Sequence, residues 1–245
     1  MKLVTIPLSH FCEKARWGLD RSGLTYDEQP YAPVLHRAGV MPRGSTTAPV
    51  LVLGRREGVA GSTAILEHCD RHGNGTILFP SDPAVNAEVR ALVARFDRRL
   101  GPPLRAWLYS WAVQDRTRLA PYVTLGVAPA QRRVATAMLP VIQRILRIAL
   151  RVTPDSHAVC AAKVDAELAF VSELLGDGRR FLVGDRFTAA DLTFAALAGS
   201  GLSAPGYGGR GVTFPPAPAE LAPQIATWRA TPAGRYALTI YDDWR

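Results

Sequence analysis

Apolar and polar residues alternate over short stretches in the first third of the chain, and twice the pattern changes to a helical period. Alternation with period two predicts strands, and apolar residues spaced three or four apart predict helices, so this region is a small α/β unit. The predicted elements are, in order, strand Lys2–Ile6, helix Cys12–Ser22, strand Thr25–Gln29, strand Val50–Leu53, a return strand that ends at Ala60, and helix Ser62–Arg71.

The rest of the chain shows helical periodicity only. Two prolines that bracket Ser81 and Asp82 predict a linker over residues 79–83, because proline stops one helix and favours the start of the next. Thr188 and Asp191 have the spacing of a capping box at a helix start. The sequence therefore predicts an α/β domain over 1–78 and an all-helical domain over 84–245. The predicted helices are Ala84–Leu100, Leu104–Asp115, Leu139–Val152, Val159–Leu175, Thr188–Leu197 and Glu220–Ala230.

Composition limits the classes of function. The chain has 245 residues, of which 48% are apolar, and its three cysteines are too few and too scattered for a disulfide framework. Its net charge of +8 is spread over many helices, so we expect an anionic small molecule as partner and no nucleic acid. Arginines interrupt the most apolar helix, so no membrane span is predicted. The N-terminus lacks the pattern of a secretory signal, and we expect a cytoplasmic protein.

Ser9 and Cys12 lie between the first predicted strand and the first predicted helix. The backbone amides of a helix's first turn favour negative charge and lower the pKa of a nearby thiol. The Ser-x-x-Cys spacing places a hydroxyl where redox proteins of the Cys-x-x-Cys type have their first cysteine. Ser9 is therefore a candidate hydrogen-bond donor to the sulfur of a bound thiol, and a plain helix cap is the alternative.

The side chains around Ser9 have competing interpretations. Cys12 is either an exposed nucleophile of low pKa or an inert buried thiol, and burial is favoured because free cysteine is among the most buried residue types. His10 is a weak candidate for a base. Lys14 and Arg16 are expected as rim charges that meet a carboxylate of the ligand.

Two further corners of the predicted α/β unit have the chemistry of a binding site. Pro49 directly precedes an apolar strand, where a missing amide disrupts ladder pairing unless the strand edge is used otherwise. A cis bond after Ala48 would turn this backbone towards a ligand. Ser62 begins the next helix, so its hydroxyl and the Thr63 amide are candidates to bind a carboxylate, with a plain N-cap as the alternative.

These motifs resemble the cytosolic glutathione transferase superfamily over nearly the whole chain. Ser9–Cys12, Thr47–Leu51 and Gly61–Ile65 resemble the thioredoxin-like N-terminal domain of that family, and Phe181–Leu192 resembles the capping-box signature of its helical domain. The resemblance implies a thioredoxin-like α/β domain followed by an all-α helical-bundle domain. It also implies a homodimer.

The resemblance further implies roles for individual residues. Ser9 corresponds to the catalytic position, and glutathione is the co-substrate. Gly61 stands where the family usually has an acidic or amide residue, which weakens the expected binding of the glutathione amino group. The implied glutathione-binding residues are Ser9, Ala48, Pro49, Val50, Ser62 and Thr63, with Pro49 cis, and the candidate walls of the acceptor pocket are Trp107, Tyr109 and Trp111.

The expected function is conjugation of glutathione, activated at Ser9, to a small hydrophobic electrophile, as in detoxification. Two alternatives remain: a thiol transferase or reductase that depends on Cys12, and a non-catalytic ligand-binding protein on the same fold. No metal-binding motif is present. Gly206, Gly208 and Gly211 have a dinucleotide-binding spacing but no strand before them and no helix after them, so no nucleotide cofactor is expected.

Overall fold

The N-terminal part of the chain forms a four-stranded sheet with the strand order β2-β1-β3-β4. The computed structural model describes residues 1–55, 57–208 and 216–245. In the sheet, β1 pairs with β2 in parallel and with β3 antiparallel, and β3 pairs with β4 antiparallel. The strands are β1 (Lys2–Thr5), β2 (Asp27–Pro30), β3 (Val50–Val52) and β4 (Gly58–Ala60).

Helices dominate the rest of the described chain. Those within the sheet domain are α1 (His10–Arg21), α2 (Arg37–Val40) and α3 (Ser62–His72). Those that follow are α4 (Pro83–Arg99), α5 (Gly101–Ala112), α6 (Arg116–Thr124), α7 (Pro129–Ala137), α8 (Leu139–Ala149), α9 (Ser156–Leu174), α10 (Ala189–Leu202), α11 (Ala222–Ala230) and α12 (Pro232–Trp244). This arrangement confirms the predicted fold class.

Several helix bounds differ from the sequence-based prediction. Helix α1 begins two residues early, at His10, because Ser9 is its N-cap. Helix α5 begins at Gly101 because its two prolines occupy the first turn, where a missing amide hydrogen costs no intrahelical bond. The sequence pattern did not predict α6, α7 or α12. Gly211 of the glycine-rich spacing lies outside the described residues.

Helix α10 forms the centre of the helical domain. All but one of its residues are buried, and it packs against α1, α4, α5 and α12. Trp17 of α1 is fully buried and lies 4.7 Å from the Tyr241 ring of α12, so the two domains share one core. No helix in the described ranges is both long enough and apolar enough to span a bilayer.

A buried carboxylate fixes the start of α10. Asp191 accepts hydrogen bonds from the Leu182 amide (2.8 Å), from both the amide and the hydroxyl of Thr188 (2.7 and 2.9 Å), and from the Tyr236 hydroxyl. The Thr188 hydroxyl in turn accepts from the Ala190 amide, which completes the predicted capping box. One side chain therefore binds the loop before α10, its N-cap and α12.

We expect Asp191→Ala to lower the free energy of unfolding by about 3 kcal/mol, because it leaves several buried donors without an acceptor. The matched control is Asp82→Ala, which removes an exposed N-cap from α4 and should cost about 1 kcal/mol. Urea unfolding followed by circular dichroism measures both. Equal losses for the two variants would show that the buried network adds nothing beyond ordinary capping.

Candidate functional site

Ser9 lies at the junction between the sheet and the first helix. The chain leaves β1, turns at Pro7, and enters α1 with Ser9 as the N-cap, whose side-chain oxygen accepts from the Cys12 amide at 3.4 Å. That contact uses a lone pair of Ser9, so its hydroxyl hydrogen can donate either to the Cys12 sulfur beneath it or to a bound ligand. Ser9 is half-buried and therefore reachable from the space between the domains. The cap and the donor are compatible in one side chain.

Cys12 lies beneath Ser9 and has no exposed surface. Its sulfur accepts from the Ile6 amide at 3.4 Å. Burial raises the pKa of the Cys12 thiol, and the nearby Arg16 charge and the hydrogen bonds from Ile6 and Ser9 only partly oppose this. The geometry therefore matches the buried, inert interpretation of Cys12, since a reactive thiol needs both access and a low pKa.

His10 is buried where the two domains meet. Gly101, the first residue of α5, approaches so closely that a side chain there would lie 2.6 Å from the Phe11 ring. Burial, and then the positive charge of Arg105, lower the pKa of His10 to about 3. The imidazole is thus neutral at physiological pH and is too weak a base to take a thiol proton.

The Ala48–Pro49 peptide bond is cis, as the resemblance implies. Pro49 and Val50 are buried at the start of β3, and Ala48 is half-buried. The Pro49 carbonyl accepts from the Gly61 amide at 3.0 Å, which holds the start of β3 against the start of α3.

The backbone conformation at position 61 favours glycine over the acidic or amide residue that the family resemblance implies. Its φ of +91° and ψ of 143° lie in a region that residues with a Cβ rarely occupy. A carboxylate or amide side chain is nevertheless missing from this corner. Any contact to a ligand at Gly61 is therefore limited to its backbone.

Ser62 and Thr63 start α3, but their hydroxyls have different environments. Ser62 is 5% exposed. The Thr63 hydroxyl accepts from the Lys14 ammonium at 2.7 Å and donates to the Asp97 carboxylate at 2.7 Å. The Thr63 side chain is therefore engaged inside the protein, and its backbone amide is the group left for a ligand.

Lys14 and Arg16 are not rim charges, which corrects the expectation from the sequence. Both are fully buried. Lys14 pairs with Asp97 of α4 at 2.9 Å, and Arg16 pairs with Glu28 of β2 at 2.7 Å. Their positions on α1 point them into the protein, where charged groups require partners.

A cavity of about 260 Å³, which we call the cleft cavity, lies between the sheet domain and helices α5 and α8. From the sheet domain, Ser9, His10 and Ala48 reach its wall together with the Val34–Arg37 segment. Of the other implied glutathione-binding residues, Pro49, Val50, Ser62 and Thr63 do not line it. The helical domain contributes Leu104, Arg105, Leu108, Tyr109, Ile145, Leu146, Ala149, Leu150 and Ser200.

Only one of the three predicted aromatic walls faces the cleft cavity. Tyr109 lines it, and burial raises the Tyr109 pKa to about 12 against the opposing Arg105 charge. Trp107 is 1% exposed and packs on Trp228, with 4.6 Å between ring centroids. Trp111 makes an edge contact with Tyr122. Residues 107 and 111 lie four apart on one helix face, whereas residue 109 projects from the opposite side.

Most residues on the helical side of the cavity were not among the sequence-based candidates. Leu104, Arg105 and Leu108 share a face of α5 with Tyr109, and a helical wheel would have grouped them. Ile145 and Leu146 lie in the predicted helix Leu139–Val152, to which the pattern assigned no part of the pocket. The place of Val34 on the cavity wall could not have been predicted from sequence. Its backbone has a φ of +73°, which is rare for a β-branched residue and which no local pattern indicates. No group of three or more metal-ligating side chains occurs in the ranges that the structure describes.

Comparison with known families agrees with this geometry. Residues 3–76 match the model of the glutathione S-transferase N-terminal domain, and residues 135–231 match that of the glutathione S-transferase C-terminal domain. Together the two models span well over half of the chain. The chain belongs to the cytosolic glutathione transferase superfamily, which confirms the resemblance. No curated protein matches it.

Solved structures of low sequence identity share the fold. A glutathione S-transferase from Rhodospirillum rubrum is 24% identical, with a TM-score of 0.58 over 97% of this chain and 91% of that one. One from Methylobacillus flagellatus with glutathione bound is 17% identical, with a TM-score of 0.62 over 99% and 94%. The beta-etherase LigF from Sphingobium is 21% identical, with a TM-score of 0.57 over 97% and 98%.

We expect one thiol, that of Cys160, to react with a disulfide reagent in the folded protein. Burial raises the pKa of all three thiols, but Cys160 is half-buried, whereas Cys12 and Cys69 are only 0% and 1% exposed. The number of reactive thiols per chain is measured with and without urea. Cys160→Ser should abolish the reaction of the folded protein. A fast native-state thiol that disappears in Cys12→Ser would contradict the buried position of Cys12.

The free energy of unfolding should fall as the pH drops below about 6.5, where histidine is protonated in the unfolded chain. Because the pKa of folded His10 is about 3, the unfolded state binds the extra proton, and the slope reaches up to about 1.4 kcal/mol per pH unit. Urea unfolding from pH 7 to pH 5 should show a shallower slope for His10→Gln. A residual slope is expected from His36 and His68, whose pKa values burial also lowers. Identical slopes for variant and wild type would contradict the assignment.

Proposed function

We propose that this protein is a glutathione transferase that activates the glutathione thiol at Ser9 and transfers the sulfur to a small hydrophobic electrophile in the cleft cavity. Ser9 carries the proposal, because its hydroxyl lies at a helix N-terminus and on the cavity wall, where it can turn from the Cys12 sulfur to a bound thiol. The neighbour that holds glutathione supports this tripeptide as the thiol.

Glutathione fits the corners around Ser9. The cis bond before Pro49 offers backbone groups beside the cysteinyl part, and the start of α3 at Ser62 and Thr63 offers amides to the γ-glutamyl carboxylate. Gly61 supplies no side chain for the amino group. Most of the binding energy is then expected from backbone contacts at the two corners.

The chemical step needs no protein nucleophile. The thiol loses its proton to water, the Ser9 hydroxyl donates to the resulting thiolate, and the positive end of α1 favours the charge. A thiol pKa lowered by about 2 units from about 8.5 makes most of the sulfur anionic at pH 7 and corresponds to roughly 2.7 kcal/mol. The sulfur then forms a bond to the electrophilic carbon, and the leaving group departs with its electron pair.

The competing functions have less support. A Cys12-dependent thiol transferase requires a mixed disulfide at a sulfur with no exposed surface. A non-catalytic binding protein is favoured by Gly61, but it gives the Ser9 hydroxyl no role beyond capping α1. We further propose a cytoplasmic homodimer that acts in detoxification, as the family resemblance implies.

Ser9→Ala should lower kcat/KM for conjugation of glutathione to a chloro-dinitrobenzene at least tenfold, because the thiolate loses its hydrogen-bond donor. Ser9→Thr, which keeps a hydroxyl and a capping oxygen, should retain most of the activity. Ultraviolet difference absorbance of bound glutathione should show a higher thiol pKa in the alanine variant. Unchanged activity in Ser9→Ala, together with its loss in Cys12→Ala, would favour the cysteine-based enzyme.

A further inference from the structure

A second and larger cavity adjoins the cleft cavity. It has a volume of about 740 Å³, and we call it the basic groove because five of its lining residues are cationic. Glu167 is the one acid on its described wall, and both of its carboxylate oxygens are bound by Arg95, at 2.8 and 3.0 Å. The groove thus presents positive charge without a free carboxylate to offset it. The cationic lining residues are Arg98, Arg99, Arg105, Arg151 and Lys163.

The two cavities meet at Arg105. This residue lines both of them, as do Ala149 and Leu150 of the neighbouring segment. One turn further along α5, Tyr109 lines the cleft cavity alone. Ser9, His10 and Arg105 line the same cleft cavity, and the Arg105 charge, after burial, helps to lower the pKa of His10.

Arg105 has no acidic partner among the described residues. It makes none of the ion pairs found in the ranges that the structure covers, whereas the buried cations Lys14 and Arg16 are both paired. Arg105 is an exposed residue, although its neighbours crowd it enough to lower the pKa of the guanidinium. The nearby His10 and Tyr109 are neutral at physiological pH and cannot compensate the charge. Arg105 is therefore accessible from solvent and available for a charge-assisted hydrogen bond to an anion.

We propose that the electrophilic acceptor is an amphiphilic anion whose carboxylate or sulfonate group pairs with Arg105. Its apolar part, which carries the electrophilic carbon, lies against Leu108, Ile145 and Leu146 and faces Ser9 across the cleft cavity. The small volume of that cavity suits a compact molecule rather than a drug-sized one. The groove beyond Arg105 attracts the anion from solution. This inference rests on the proposed function and names its substrate class.

The test compares a chloro-dinitrobenzoate with its methyl ester, each rate being divided by that of the uncatalysed reaction with glutathione. The wild type should prefer the carboxylate, and Arg105→Gln should reduce the ratio of the two kcat/KM values at least tenfold. Arg105→Lys should restore part of the preference because it restores the charge. Arg99→Gln, which removes a charge from the groove but none from the cleft cavity, should lower the ratio by less than about threefold, because it weakens only the attraction from solution.

Arg37 provides the second control, because it is the other arginine on the cleft cavity and lies on the sheet domain. If Arg37→Gln rather than Arg105→Gln removes the preference, the assignment to Arg105 is overturned. It is also overturned if the wild type does not prefer the carboxylate or if Arg105→Gln keeps the ratio.

A binding measurement separates this inference from the transferase function. Titration calorimetry with a dinitrobenzoate that lacks the halogen should give a Kd that Arg105→Gln raises at least tenfold, or about 1.4 kcal/mol. If no electrophile is turned over and this dependence is observed, the anion site stands and the transferase function fails. If turnover of the neutral ester depends on Ser9 and Arg105→Gln leaves the Kd of the dinitrobenzoate unchanged, the transferase function stands and the anion site fails.

Discussion

The buried charges of α1 are the constraint on which the rest of the structure depends. Lys14 pairs with Asp97 of α4, Arg16 pairs with Glu28 of β2, and Glu13 accepts from the Arg245 guanidinium at 2.8 Å. Buried ion pairs add little net stability, but removing one partner is costly, so they disfavour other placements of the helix. Helix α1 is thereby fixed against the sheet, the helical domain and the C-terminal helix at once.

This anchoring determines what faces the cleft. With Lys14 and Arg16 directed inwards, the start of α1 presents Ser9 to the space between the domains and keeps Cys12 beneath it. The same orientation of α1 buries His10 against Gly101, where the imidazole ring stays neutral. The proposed thiol site, which relies on a donor and a helix terminus and on no basic side chain, is compatible with this orientation of α1.

The cleft itself combines two different surfaces. The sheet domain contributes backbone corners and the Ser9 hydroxyl, which are features local to turns and helix starts. The helical domain contributes an apolar face of α5 and α8, interrupted by Arg105 where the basic groove begins. Five of the 29 basic side chains of the protein thus line the basic groove at one edge of the candidate site.

The sequence by itself determined the succession of the four strands and of most of the longer helices, the capping box at Thr188, and the family resemblance, because these depend on residues only a few positions apart. It did not determine that Lys14 is buried against Asp97, that Trp107 faces away from the cleft, or that Arg105 joins two cavities. Lys14 and Asp97 are 83 positions apart, and nothing in the local pattern of either one encodes the other. Which face of a helix meets a ligand is decided by packing between distant segments, and only the tertiary structure contains that information.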